Sequence, residues 1–215
     1  MAYSQAPLEQ IKDVMADAEI QNFIDIEFPP IMASIYNTDE QFPFEEEIVW
    51  KRAKDCLFLE RGTQPGVCSD TLKPSDVIEG KLGNGYFASA LACLAERPSL
   101  IQKLFVTQEY QREGIYKVQI CKDGIWQEVT LDDYFPCGAA NGGSALFSKS
   151  STSDIWVLLL EKAYAKLNLN YITLRGGFVC DALQDLIGCP AQTVQLDTEE
   201  VQADVRSGKL FLSLE

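Results

Sequence analysis

Apolar residues recur at helical spacing along three stretches of the chain. Phe87, Ala90, Leu91 and Leu94 give one buried face to a helix that starts after the Gly83-Asn84-Gly85 turn, with Asn84 suited to cap it. Trp156, Leu159, Leu160, Ala163 and Leu167 give the strongest stripe, with Ser153 or Asp154 as its cap. Leu8, Ile11, Val14, Met15 and Ala18 predict an amphipathic helix over 7–20, outside the core.

A period of two appears instead in Ile115–Cys121 and Ile125–Leu131, joined by Lys122-Asp123-Gly124, and predicts a β-hairpin. Phe28-Pro29-Pro30 breaks the chain before the domain, because proline fixes φ and removes a donor. Glu45-Glu46-Glu47 reads as a solvated helix start, and Gly62–Pro74 as a loop. Arg97-Pro98 ends the helix after Gly85, and Ser99 caps another that runs through Leu100, Lys103 and Phe105. Gly138–Ser153 is rich in Gly and Ser and is expected to be mobile or to cover a site. A short helix over Asp181–Leu186 stops at Gly188, a last helix spans Glu199–Val205, and Lys209–Leu214 alternates like a strand. Trp126 and Trp156 are expected to pack in the core, and Cys93 in the buried stripe of its helix.

At 215 residues the chain can bury one sizeable core. A formal charge of -14 excludes nucleic acid as the expected partner, since phosphate binding needs a basic surface. No apolar run is long enough to span a membrane. The sequence contains no histidine, which excludes a Cys-His or Ser-His pair within it. Seven cysteines lack C-x-x-C spacing, and the first residues lack both a basic and an apolar leader region. Free thiols in a reducing, cytoplasmic compartment are therefore expected. Gly83-x-Gly85-x-x-Ala88 matches the dinucleotide fingerprint literally, but without a preceding strand or β-α-β alternation it carries no weight.

Glu79-Gly80-Lys81-Leu82-Gly83-Asn84-Gly85-Tyr86-Phe87 resembles the catalytic-cysteine segment of calpains, the calcium-dependent papain-like cysteine proteases, which reads Gln-Gly-x-Leu-Gly-Asp-Cys-Trp-Phe. Asp154 through Leu167 resembles a calpain segment in which Trp precedes Leu-Leu-Glu-Lys-Ala-Tyr-Ala-Lys. Leu174-Arg175-Gly176-Gly177 and Ala182–Gly188 follow in the family's order. The resemblance implies an α+β fold of papain type, mainly helical around a central helix with a small antiparallel hairpin. It covers the first protease-core subdomain over 22–215, after an extension over 1–21, and lacks the second subdomain with its His and Asn.

Position by position, the resemblance puts Gly85 where the nucleophilic cysteine stands and Glu79 where a glutamine donates to the oxyanion. A thiol protease needs a thiolate, a proton acceptor and donors aimed at the developing anion. Gly85 removes the first, the missing histidine the second, and a carboxylate at Glu79 repels what it should stabilise. The family also implies a calcium site at Asp76 and Asp154, completed by carbonyls around Ser69–Thr71. The plainer alternative makes Asp154 an N-cap and Asp76 a surface acid. The expectation is a catalytically inactive scaffold, binding or regulatory module with protein partners, cytoskeletal ones or a larger calpain-like assembly among them. The alternative is half of a calcium-dependent cysteine endopeptidase whose His/Asn subdomain lies outside this chain.

Overall fold

The computed structural model describes residues 22–36, 44–57, 64–141, 143–191 and 193–209. The helix expected over 7–20 lies outside them, as does the strand expected over Lys209–Leu214 apart from Lys209 itself. In chain order the elements are β1 (Ile48–Arg52), α1 (Ala53–Cys56), β2 (Val77–Ile78), α2 (Gly85–Ala95), α3 (Pro98–Gln102), β3 (Tyr116–Lys122) and β4 (Ile125–Leu131). They continue with β5 (Tyr134–Gly138), β6 (Lys149–Ser150), α4 (Trp156–Leu167), α5 (Val179–Ile187) and α6 (Glu199–Ser207). The strands make three antiparallel ribbons, β1 with β5, β2 with β6, and β3 with β4.

The mixed helical and antiparallel architecture agrees with the expected α+β class. α4 is enclosed on all sides from Trp156 to Ala165, wider than the expected stripe, while its last residue Leu167 is only partly buried. α2 packs beside it, and the Phe87 ring stacks on Tyr164 with centroids 4.5 Å apart. Phe87, Ala90, Leu91 and Leu94 are buried as their spacing requires. Cys93 is exposed, contrary to expectation. At 100° per residue it stands roughly 120° round the helix from Phe87, outside the stripe.

The hairpin turns through Asp123 at φ 53° and Gly124 at φ 76°, the paired positive angles that match the strands' twist. Tyr116, Val118 and Ile120 point inward with Val129 and Leu131. Trp126 faces the other way, across from Cys121, and is 50 % exposed, so the expected core role belongs to Trp156 alone. The Trp126 ring lies over Gly188, where an added Cβ would come within 2.9 Å of it.

Several expected helix starts are replaced. Glu45–Glu47 leads into β1 instead of a helix. The start of α3 is set by Pro98 in its first turn, without a Ser99 cap, and the helix stops at Gln102. Ile155, not Ser153 or Asp154, is the residue preceding α4, and no side chain caps that helix. α5 does end at Gly188, whose φ of 69° lets its N–H reach the Gln184 carbonyl at 2.8 Å. The stretch 138–153 is built into the fold. It contributes β6 and buries Leu146 and Phe147, and the Phe147 backbone lies so near Gly80 that an added Cβ would stand 2.2 Å from it.

An ionic layer crosses the interior beside α4. Lys162, fully buried, pairs with Asp132 and donates to the Tyr134 carbonyl at 2.7 Å. Arg52 holds Asp133 with two bonds of 2.8 and 3.0 Å. Burial still raises the Asp133 carboxyl above its ordinary value. Lys166 pairs with Asp25 at 2.8 Å, while the Asp25 N–H donates to Asp132 at 2.8 Å. The segment before Phe28 is thereby fixed to the core by charge.

Candidate functional site

The Gly-rich turn ends at Gly85, the first residue of α2, where unpaired N–H groups give a helix its positive end. Gly83 has φ 77°, and its carbonyl accepts from the Gly176 N–H at 3.1 Å. The Tyr86 ring rests on the Cα of Gly177, where an added Cβ would lie 2.6 Å from it. The Gly83–Gly176 bond and the Tyr86–Gly177 contact therefore hold the start of α2 against the segment 175–177.

No side chain projects from the tip of that helix, and Glu79 folds over it. A Cβ on Gly85 would lie 3.1 and 3.2 Å from the two carboxylate oxygens of Glu79. The structure thus brings together the two positions singled out in the sequence. Beside them opens a cleft of about 320 Å³, lined by Glu79, Lys81, Lys149, Leu146 and Phe147. Lys81 pairs with Glu46 at its rim.

Asn84 does not cap α2 with its side chain. Its carbonyl accepts from Phe87 and Ala88, at 2.8 and 3.2 Å, and its amide turns inward to donate to Glu161 at 2.8 Å. The Ser148 N–H donates to the same carboxyl at 3.0 and 3.3 Å. Burial pushes Glu161 up to about 7, against the pull of the Ser148 and Asn84 bonds, and the Glu79 carboxylate adds to the rise. Sequence reading missed Glu161. Its signal was a carboxyl directly after Leu158-Leu159-Leu160, inside the strongest apolar stripe of the chain.

Asp76 and Asp154 are both buried. Asp76 is therefore not a surface acid. It accepts from the Lys73 N–H at 2.8 Å and from the Ser151 hydroxyl at 3.1 Å. Asp154 accepts from the Ser69 N–H at 3.1 Å, and its other oxygen faces Gly66. The groups that bond Asp76 are not those that bond Asp154. Among the described residues no three Asp, Glu, Cys or His side chains gather as a metal site. A hard cation wants six to eight oxygens, so here it would need loop carbonyls beside these two carboxylates.

None of the cysteines stands at the tip of α2. Cys56 and Cys137 are buried, and each thiol donates to a backbone carbonyl at 3.4 Å, Cys56 to Ala53 and Cys137 to Phe135. Cys68 is pushed up to about 12 by burial and the nearby Asp154 carboxylate.

A helix that begins at a glycine turn, with a longer enclosed helix beside it and small antiparallel ribbons in the same domain, is the arrangement of the helical part of a papain-type cysteine-protease core. Comparison with known proteins narrows that class: the pattern of calpain family cysteine proteases matches residues 23–211, and the chain belongs to that family. Its relatives include the calpain-type cysteine protease DEK1 of Arabidopsis thaliana, 37% identical over 208 residues, which make up 95% of this chain and 10% of that protein. Calpain-5 of Caenorhabditis elegans is 34% identical over 184 residues, 82% of this chain and 27% of that protein. Calpain-10 of Rattus norvegicus is 36% identical over 180 residues, 79% of this chain and 26% of that protein. The chain thus spans about a tenth to a quarter of the relatives it matches. Among the described residues no helix is long and apolar enough to cross a membrane.

Proposed function

We propose that this calpain-type protease domain is catalytically inactive and works as a scaffold, binding or regulatory module. The observation that carries the reading is the Glu79 carboxylate lying over Gly85, a residue with no side chain to attack a carbonyl. In the family's pattern these positions hold the oxyanion donor and the nucleophile. A negative charge there opposes the developing oxyanion, where loss of one good donor costs about 3 kcal/mol in known enzymes. Gly85 and Glu79 depart from the protease chemistry together, which supports loss of catalysis rather than a modified form of it.

The domain over 22–215, with 1–21 as an extension, then acts through its surface on protein partners in the cytoplasm. Cytoskeletal assemblies and larger calpain-like complexes are the partners proposed. Calcium enters this reading only at Asp76 and Asp154, whose buried carboxylates are the donors the fold offers. Calorimetry with calcium on the protein and on Asp76→Ala tests that part: binding heat lost in the variant supports it, and equal heat in both refutes it.

The relatives are named as cysteine proteases, which favours a second reading. In it the chain is part of a calcium-dependent endopeptidase that receives His and Asn from another segment. A casein-hydrolysis assay on the longest reading frame, with calcium present, separates the two. No hydrolysis supports the inactive module. Hydrolysis, or selective labelling of one cysteine by an epoxide protease inhibitor, overturns it.

A further inference from the structure

Glu161 sits inside the protein at 2 % exposure, on α4, and its bonds come from uncharged groups, the Asn84 amide and the Ser148 N–H. These partners belong to two separate pieces of chain. Asn84 immediately precedes Gly85 at the start of α2, and Ser148 follows Leu146 and Phe147, which line the cleft beside Glu79. One carboxyl therefore ties the helix start to the cleft wall. A buried oxygen at the same place, Asn84 Oδ1, has no hydrogen-bond partner. An ionised carboxylate can give this amide oxygen nothing, whereas a protonated carboxyl carries the donor it lacks.

The surroundings favour the proton. Glu79 faces Glu161 from the segment before α2 and repels its charge. Tyr171, buried on the segment after α4, shares with Glu161 the walls of a small void closed by Phe135, Phe147 and Leu158. Lys162, next along α4, turns away to Asp132.

We propose that Glu161 is a proton-operated latch between the start of α2 and the 145–148 wall of the cleft. Ionised, it draws in the Asn84 amide and the Ser148 N–H. Protonated, it turns its O–H toward Asn84 Oδ1 and loosens its hold on the Ser148 N–H, so the cleft wall responds to pH. The folded carboxyl binds its proton more tightly than the same group in the unfolded chain. Stability contributed by the protonated latch is therefore present at low pH and is lost as pH rises from the ordinary value near 4.5 through about 7.

The test follows the Ser148 amide proton by NMR across this window, in the whole chain and in Glu161→Gln. The signal is expected to titrate with a midpoint near 7 in the natural protein and to stay flat in the variant. Urea midpoints measured in parallel should fall with rising pH more steeply in the natural protein than in Glu161→Gln. Asn84→Ala removes the partner of Glu161 on the α2 side in both protonation states and should move the NMR midpoint away from that of the natural protein, which keeps the proposal testable if the glutamine variant does not fold. An unchanged midpoint in Asn84→Ala, or titration of the Ser148 amide that persists in Glu161→Gln, overturns the latch. A midpoint at the ordinary carboxyl value overturns it as well.

Discussion

Lys162→Met is the substitution that most directly weighs the ionic layer. Methionine nearly matches the lysine stem in length and removes only the ammonium, which is fully buried and held by Asp132 and the Tyr134 carbonyl. The change leaves Asp132 charged inside the protein, with N–H bonds from Asp25 and Tyr134 but no cation on it. Breaking one side of a buried pair costs about 3–5 kcal/mol, and the Tyr134 carbonyl also loses its donor from Lys162. We expect a loss of about 4 kcal/mol, which for a domain of this size lowers Tm by roughly 8–16 °C. Urea denaturation and thermal melting at neutral pH measure both quantities. Adding Asp132→Asn removes the stranded charge and should recover more than about 1 kcal/mol of the loss in a double-mutant cycle. A single-variant loss under about 1 kcal/mol, with no coupling in the cycle, would show that the pair is not a buried charge pair in solution.

Gly80→Ala should destabilise the chain by more than about 2 kcal/mol, because its Cβ meets Phe147 backbone that cannot step aside as a side chain would. A urea midpoint equal to that of the natural protein would refute the close approach. Trp156→Ala should cost about 3–5 kcal/mol and Trp126→Ala under about 1 kcal/mol, since the first ring is fully enclosed and the second half exposed. The same contrast should appear in acrylamide quenching, where most of the accessible tryptophan emission disappears with Trp126.

What could be read from the sequence was whatever rests on local period and turn chemistry. The Asp123-Gly124 hairpin, the buried side of α2, the enclosed α4 and the Gly188 stop of α5 all follow from such rules. Cap assignments failed where a tertiary partner outbid the local one. Asn84 gives its amide to Glu161 and Asp154 accepts from Ser69, so neither side chain serves the helix beside it. The β1–β5 ribbon was not legible, because Trp50 through Arg52 alternates too briefly to show a strand and its partner lies far along the chain. At the site, the glycine skeleton revealed the turn and the family. The placement of Glu79 over Gly85 depends on how the chain folds back at Gly80, which no spacing rule reports.

The pairing of Ile48 with Gly138 and of Val77 with Ser150 also bears on how the protein is made. Each ribbon closes a long loop, and the entropy of that closure must be met before any ladder bond can repay it. On the ribosome the first strand of each ribbon emerges well before its mate, while the β3–β4 hairpin can zip as soon as it is released. Early in synthesis the Ile48-Val49-Trp50 edge is therefore bare, and this is the stretch that a chaperone would have most reason to shield.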